Sequence, residues 1–219
     1  RTGECRVSEM ILIGSPREKA LICQIARQVP TVYIGRNLAG TGVASVSTDD
    51  LMGARMATRH LIGLGHRRIA HISGGGGAGA TRREAGYRET MAAAGLEPLV
   101  HEGYYDIDAG LDAVHQLMAL PQRPTAIFAA NDLVAIGAIN RLFSLGYSVP
   151  KDVSVVGFDD IPMASSSTIS LCTVRQPKED MVARGVEMLI RRIESDTGEV
   201  QNLVLPPDFV QRKSTAAPA

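Results

Sequence analysis

The chain has 219 residues, 45% hydrophobic and 21% charged, which is the make-up of a globular domain and excludes a disordered or collagen-like chain. Lys plus Arg and Asp plus Glu both number 23, so no positive excess is available to displace counterions from phosphates, and bare nucleic-acid binding by this segment is not expected. At ~150 residues per domain the length allows one large domain or two small lobes, and the apolar runs fall far short of the ~18 residues of a membrane span.

The elements follow one another in a regular alternation. Met10–Ile13 reads as a buried strand ended by Gly14-Ser15-Pro16, residues 17–28 as a short helix, and Thr31–Ile34 as a second strand. Residues 49–64 form a helix, with Asp49 or Asp50 as its cap, Ala54, Ala57, Leu61 and Leu64 on one face, and Gly65 as its stop. Arg68–Ser73 is a strand and 74–79 a glycine-rich loop. Thr81-Arg82-Arg83-Glu84 has the form of a capping box opening a helix over 82–94. Strand 98–101 follows, then a helix marked by Ile107, Leu111, Val114 and Met118, strand 125–129 and helix 132–145. Strands at 153–156 and 170–174 precede a helix over 178–195 marked by Val182, Val186, Leu189 and Ile193. Extended runs at 203–205 and 209–211 finish the chain. Strands alternating with helices of this length predict βαβ units and a parallel sheet covered on both faces. The start, Arg1–Arg6, does not read as a signal peptide, and Cys5, Cys23 and Cys172 lie far apart without a CxxC spacing. They read as reduced thiols of a cytoplasmic protein.

Gly74, Gly76 and Gly79 satisfy GxGxxG between a strand and a helix, with Glu102 near the position of a ribose-binding acid. Against a dinucleotide site, four consecutive glycines match by accident, and no His, Lys or Tyr pairs with a Ser for hydride chemistry. The alternative is a flexible loop of close backbone approach; no cofactor and no metal are expected.

In open parallel sheets, ligands bind beyond the carboxyl ends of the strands. That edge carries Asn131-Asp132, Asp159-Asp160, Tyr104-Tyr105 and Gly35-Arg36, with Arg83 in the first turn of the helix after the glycine loop. Asn131 alone is an N-cap and Asp159-Asp160 alone a turn. Arg83, placed in a first turn, opposes the helix dipole, which favours a reach across the crevice. Together Arg, Asn, Asp and Tyr suit a polyol. Arg and Asn donate to hydroxyl oxygens, Asp accepts from hydroxyl protons, and the ring covers an apolar sugar face. No nucleophile and base are paired, so the set binds rather than catalyses.

The strings around these residues carry a family resemblance. They are Val46-x-x-Asp49-Asp50-x-x-Gly53-Ala54, His60-Leu61-Ile62-x-Leu64-Gly65-His66-Arg67-Arg68-Ile69-Ala70-His71-Ile72-Ser73-Gly74 and Arg83-x-x-Gly86-Tyr87. Ala126–Gly137, Val153–Pro162, Thr173-Val174-Arg175-Gln176-Pro177 and Arg212–Thr215 follow in order. The chain resembles the effector-binding domain of the lactose-repressor (LacI/GalR) family of bacterial transcription regulators, which shares its fold with periplasmic sugar-binding proteins. The resemblance implies an α/β fold of two doubly wound parallel-sheet lobes joined by three crossovers, near 44–47, 173–177 and 198–202. The N-terminal lobe would comprise 1–45 and 174–200 and be incomplete here, and the C-terminal lobe 46–173 and 201–219. It further implies effector contacts at Arg83, Asn131 and Asp159, a stacking aromatic at Tyr105, and Ser15 and Arg36 on an opposite wall. The expected function is that of a sugar-sensing, dimerising domain of a cytoplasmic repressor. Its operator-binding helix-turn-helix would precede this chain, and its partners would be a sugar effector, a second copy and operator DNA, with no membrane. A transport-type sugar-binding protein is the alternative, and a nucleotide-dependent enzyme resting on the glycine loop is a third reading.

Overall fold

In the computed structural model, which describes residues 9–14, 19–194 and 200–218, the predicted alternation resolves into two separate sheets. Along the chain run β1 (Met10–Ile13), α1 (Lys19–Ala26), β2 (Thr31–Ile34), β3 (Ala44–Thr48), α2 (Asp50–Gly63), β4 (Ile69–Ile72), α3 (Ala78–Ala93), β5 (Leu99–His101) and α4 (Ile107–Met118). Then come β6 (Ala126–Ala129), α5 (Asp132–Ser144), β7 (Ser154–Asp159), β8 (Cys172–Arg175), α6 (Lys178–Glu194), β9 (Asn202–Leu205) and β10 (Asp208–Val210). Two compact units divide the chain. Unit 1 is Arg1–Asp49 with Pro177–Pro206, and unit 2 is Asp50–Gln176 with Pro207–Ala219.

Unit 1 holds a parallel sheet in the order β1-β2-β3-β9. β3 is a strand that hydropathy does not mark, because Ser45, Ser47 and Thr48 interrupt its apolar character. All five of its residues are nonetheless buried, and Ser45 is satisfied there, its hydroxyl donating to Asn202 Oδ1 at 2.6 Å while accepting from the Leu38 amide. The helix expected over 178–195 is observed as α6. Met181, Gly185 and Met188 are its buried residues, while Val182, Val186 and Ile193 are exposed.

Strand pairing moves the expected lobe boundaries. β3 pairs with β2 and β9 with β3, which places 46–49 and 201–206 in unit 1. β8 pairs with β7 and β10, which places 174–176 in unit 2. The three crossings fall at 49–50, 176–177 and 206–207; the second lies within the expected 173–177, and the other two lie a few residues beyond the expected 44–47 and 198–202.

Unit 2 is built on a six-stranded sheet in the order β10-β8-β7-β6-β4-β5, parallel throughout except for the antiparallel β10. Alternate residues of each strand feed two cores. Ala70, Ile72, Ile127, Ala129 and Val155 pack with residues of α4 and α5, and Ile69, Ala126, Phe128, Val156 and Phe158 with residues of α2 and α3. The α4–α5 crossing depends on two glycines. A Cβ on Gly137 would run into the Ile107 carbonyl, and one on Gly110 into the Val134 carbonyl. Gly137→Ala is expected to lower stability by about 1–3 kcal/mol through overpacking; an unchanged urea midpoint would contradict this packing.

Candidate functional site

The chain runs from β4 outward to β5 and then returns to β6 on the other side of β4. The gap beyond the carboxyl ends of β4 and β6 is therefore a topological switch point, the position where open α/β sheets bind ligands. Four of the residues singled out from sequence come together in unit 2 around it: Arg83, Tyr105, Asn131 and Asp159.

Arg83 is at the centre. Its Nε donates to Asp50 Oδ1 at 2.8 Å and its Nη1 to the Ala130 carbonyl at 2.6 Å, and Asp159 Oδ1 lies 3.5 Å from Nη1. The guanidinium lies over the Phe158 ring, 3.6 Å from its centroid, with the Tyr105 ring at 5.7 Å. Arg83 is only 6% exposed. Burial opposes its charge, but the Asp159 and Asp50 carboxylates outweigh that and hold its pKa above the usual arginine range. Burial also lifts the Asp50 carboxyl above its ordinary value, with Arg83 acting against the rise. Among the described residues Arg83 Nη2 and Asp159 Oδ2 make no hydrogen bond, which leaves a donor and an acceptor open in one cluster.

Asn131 is the N-cap of α5, its Oδ1 accepting from the Val134 amide at 2.9 Å. Only Nδ2 remains to donate outward, its single protein contact being a long 3.4 Å to the Tyr105 carbonyl. Asp159 has φ +111° and Asp160 φ +50°, conformations that non-glycine residues adopt rarely and at a cost. The turn is held by its side chains. Gln176 Nε2 donates to Asp159 Oδ1 at 2.6 Å, and Asp160 pairs with Arg175 and Arg212, each at 2.7 Å. Against the upward push of burial, those hydrogen bonds keep the Asp160 carboxyl below its usual range. Behind the turn, Asp132 accepts from the Ile161 amide at 2.8 Å and the Thr173 hydroxyl at 2.6 Å.

The glycine loop serves the aromatic. A Cβ on Gly74 would meet the Tyr105 ring, and one on Gly79 would lie 3.6 Å from the Tyr105 hydroxyl. The ring thus packs against the backbone of Gly74, where a side chain would push it away. α3 begins at Ala78, four residues before the expected start, with Gly77 as an N-cap that lacks a side-chain bond. The capping box is therefore not formed, and Thr81 donates to the Gly77 carbonyl instead. Arg83 sits in the second turn rather than the first, so its orientation follows from its carboxylate partners and not from the helix dipole.

Of the other two residues, Arg36 follows Gly35 (φ +118°) at the end of β2 in unit 1, and Ser15 lies outside the described residues. Sequence reasoning missed two contributors. Asp50, taken as a helix cap, is the buried partner of Arg83. Phe158, taken as a strand residue, is the surface beneath the guanidinium. The signal for Asp50 was present, since Asp49-Asp50 opens a helix directly after a strand end. Among the described residues no group of His, Cys, Asp and Glu could hold a metal ion, and no helix is long and apolar enough to cross a membrane.

Comparison with known proteins bears on this arrangement. The sequence profile of the periplasmic binding protein-like domain matches residues 58–215. The ribose operon repressor of Escherichia coli K12 is 38% identical over 175 residues, covering 77% of this chain and 52% of the repressor; the chain spans about half the length of the curated relatives it matches. A LacI transcriptional regulator from a Rhodococcus species superposes with a TM-score of 0.92 at 34% identity, over 97% of this chain and 79% of that one. A transcriptional regulator CelR–cellobiose complex superposes with a TM-score of 0.86 at 37% identity, over 95% of this chain and 66% of that one. With this profile match, these identities and a parallel-sheet fold that superposes almost end to end, the chain belongs to the LacI family of transcriptional regulators and carries its periplasmic binding protein-like domain.

Proposed function

We propose that this chain is the sugar-sensing domain of a DNA-binding transcriptional repressor, with Arg83, Asn131, Asp159 and Tyr105 as ligand contacts. The observation that carries the reading is their convergence at the switch point of unit 2, where Arg83 Nη2 and Asp159 Oδ2 offer a donor and an acceptor to a vicinal diol beside an aromatic ring. A similar repressor is named for the ribose operon, and a similar regulator was solved with cellobiose, which supports a sugar as the ligand class. Ser15 and Arg36 are proposed as further ligand contacts. The whole protein would act in the cytoplasm as a homodimer, binding operator DNA through an N-terminal helix-turn-helix and carrying out no catalysis.

A nucleotide-dependent enzyme fits less well. The Tyr105 ring occupies the space over Gly74, and a Cβ on Gly76 would meet nothing within 4 Å. Gly74, the first glycine of the GxGxxG string, is thus accounted for by the aromatic ring, without a pyrophosphate. Melting of the protein in a panel of ribose, glucose, galactose and cellobiose, and separately in NAD(H) and NADP(H), tests both readings. The expected outcome is a raised Tm with at least one sugar and no saturable response to either dinucleotide. A dinucleotide response abolished by Gly76→Val, with none to any sugar, would overturn the proposal.

A further inference from the structure

Arg83 is claimed from two sides. One guanidinium is shared by two carboxylates, Asp50 from the start of α2 and Asp159 from the end of β7. The neighbouring acids are already committed. Asp160 is occupied by Arg175 and Arg212, and Asp132 by Thr173 and the Ile161 amide. Arg82 also acts electrostatically on Asp50, while Tyr105 and Phe158 beside the guanidinium carry no charge. An arginine in a sugar site is commonly available to receive an acidic ligand group, because its fork matches a carboxylate or phosphate in a bidentate fashion. Here two of its edges are already used: Nε by Asp50 and Nη1 by the Ala130 carbonyl. A second anion brought to Nη2 would sit close to both carboxylates at a largely dehydrated position, where like charges repel strongly.

We infer that this wall selects uncharged sugars and rejects those bearing a carboxylate or phosphate, and that Asp50, through its hold on Arg83, is the residue that sets this selectivity. The inference rests on the sugar-sensing reading and narrows its ligand class. Asp50 is a positioning residue: its Oδ1 is spent on Arg83, and its influence on a ligand is exerted through charge. A hydroxyl suits the open positions because it can accept from Nη2 while donating to Asp159 Oδ2. A carboxylate can only accept, so it would leave Asp159 facing a like charge.

The test uses matched pairs that differ in one charged group: glucose and glucuronate, galactose and galacturonate, ribose and ribose 5-phosphate. Calorimetric titration of each into the protein is expected to show the neutral member of a binding pair preferred by about tenfold or more. Asp50→Asn keeps an acceptor for Arg83 Nε and removes one negative charge. It is expected to shrink that preference by about tenfold, chiefly by tightening the acidic member. Loss of fold or of site geometry would weaken both members alike and leave the ratio unmoved, so an unchanged ratio in a folded Asp50→Asn protein overturns the role of Asp50. Equal or tighter binding of the acidic member by the wild type overturns the charge selectivity while leaving the sensor reading intact. Failure of every sugar in the panel to bind counts against the sensor reading itself.

Discussion

Replacing Arg83 with leucine is expected to lower folding stability by about 3–5 kcal/mol and to abolish sugar binding. The stability loss does not measure what the ion pair contributes; it arises because the change strands a charge. The Arg83 and Asp50 side chains are only 8% and 11% exposed, so the Asp50 carboxylate would be left in a dehydrated site without a countercharge. Asp50→Leu strands Arg83 in the same way, with Asp159 still 3.5 Å away to share the burden, so its cost should be the smaller of the two. The double variant removes both buried charges, and replacing a whole buried pair with apolar groups is often close to neutral. Urea denaturation of the four proteins forms a thermodynamic cycle. The account expects the double variant to be more stable than Arg83→Leu alone. Simple additivity of the two losses would show that the pair is not coupled.

His71→Phe is expected to change the pH dependence of stability strongly. His71 lies in β4 and is fully buried. Its ring stacks between Phe128 (centroids 4.8 Å apart) and Tyr87 (5.2 Å), and its Nδ1–H donates to the Phe128 carbonyl at 2.9 Å. Nε2 is buried without a hydrogen-bond partner among the described residues. Burial drives the imidazole pKa from 6.5 down to about 4, only partly resisted by the bond to Phe128. The unfolded chain therefore takes up a proton before the folded one does. The stability due to neutral His71 is fully present above pH 6.5, is lost as pH falls toward 4, and amounts to about 3 kcal/mol. Asp132 acts in the opposite sense. Burial raises its carboxyl from 3.8 to about 6, against the hydrogen bonds from Thr173 and Ile161. Its contribution is fully present below pH 3.8 and is lost as pH rises through 6. The two slopes oppose each other over the shared window. Urea titrations at pH 7 and pH 4 should show His71→Phe gaining about 3 kcal/mol relative to wild type on going to the lower pH. A difference independent of pH would mean that His71 is protonated, or solvated, in the folded protein.

Much of unit 2 was legible because its signals are local. Apolar runs such as Ala126–Ala129 lie between recognisable turns, and Asn131 caps the helix that follows, so element and site residue were read from one short string. Failures arose where a long-range partner decides the outcome. β3 is polar at alternate positions and is a strand only because β2 and β9 flank it. The start of α3 slipped by four residues because Gly77 caps by backbone alone, a role that no side-chain pattern announces. The buried face of α6 was not read from sequence, because Met181, Gly185 and Met188 fit the sheet of unit 1, while the more conspicuous valines mark only the helix's period. In the site, Arg83 was found by its position after the glycine loop. Asp50, 33 residues earlier, could be identified as its partner only once α2 and α3 were seen packed against the same core.

The central claim is that the Arg83–Asp159 edge of unit 2 is a sugar-binding wall. Its most direct test is calorimetry of the sugar that gives the largest rise in Tm, titrated into wild type, Asp159→Ala and Asn131→Ala. Asp159→Ala removes the acceptor for a hydroxyl proton and leaves Arg83 with one carboxylate, so the affinity should fall by about thirtyfold or more. Asn131→Ala should weaken binding by less, since Oδ1 is committed to the helix cap and only one donor is lost. Unchanged affinity in the folded Asp159→Ala protein would contradict the account and place the sugar elsewhere.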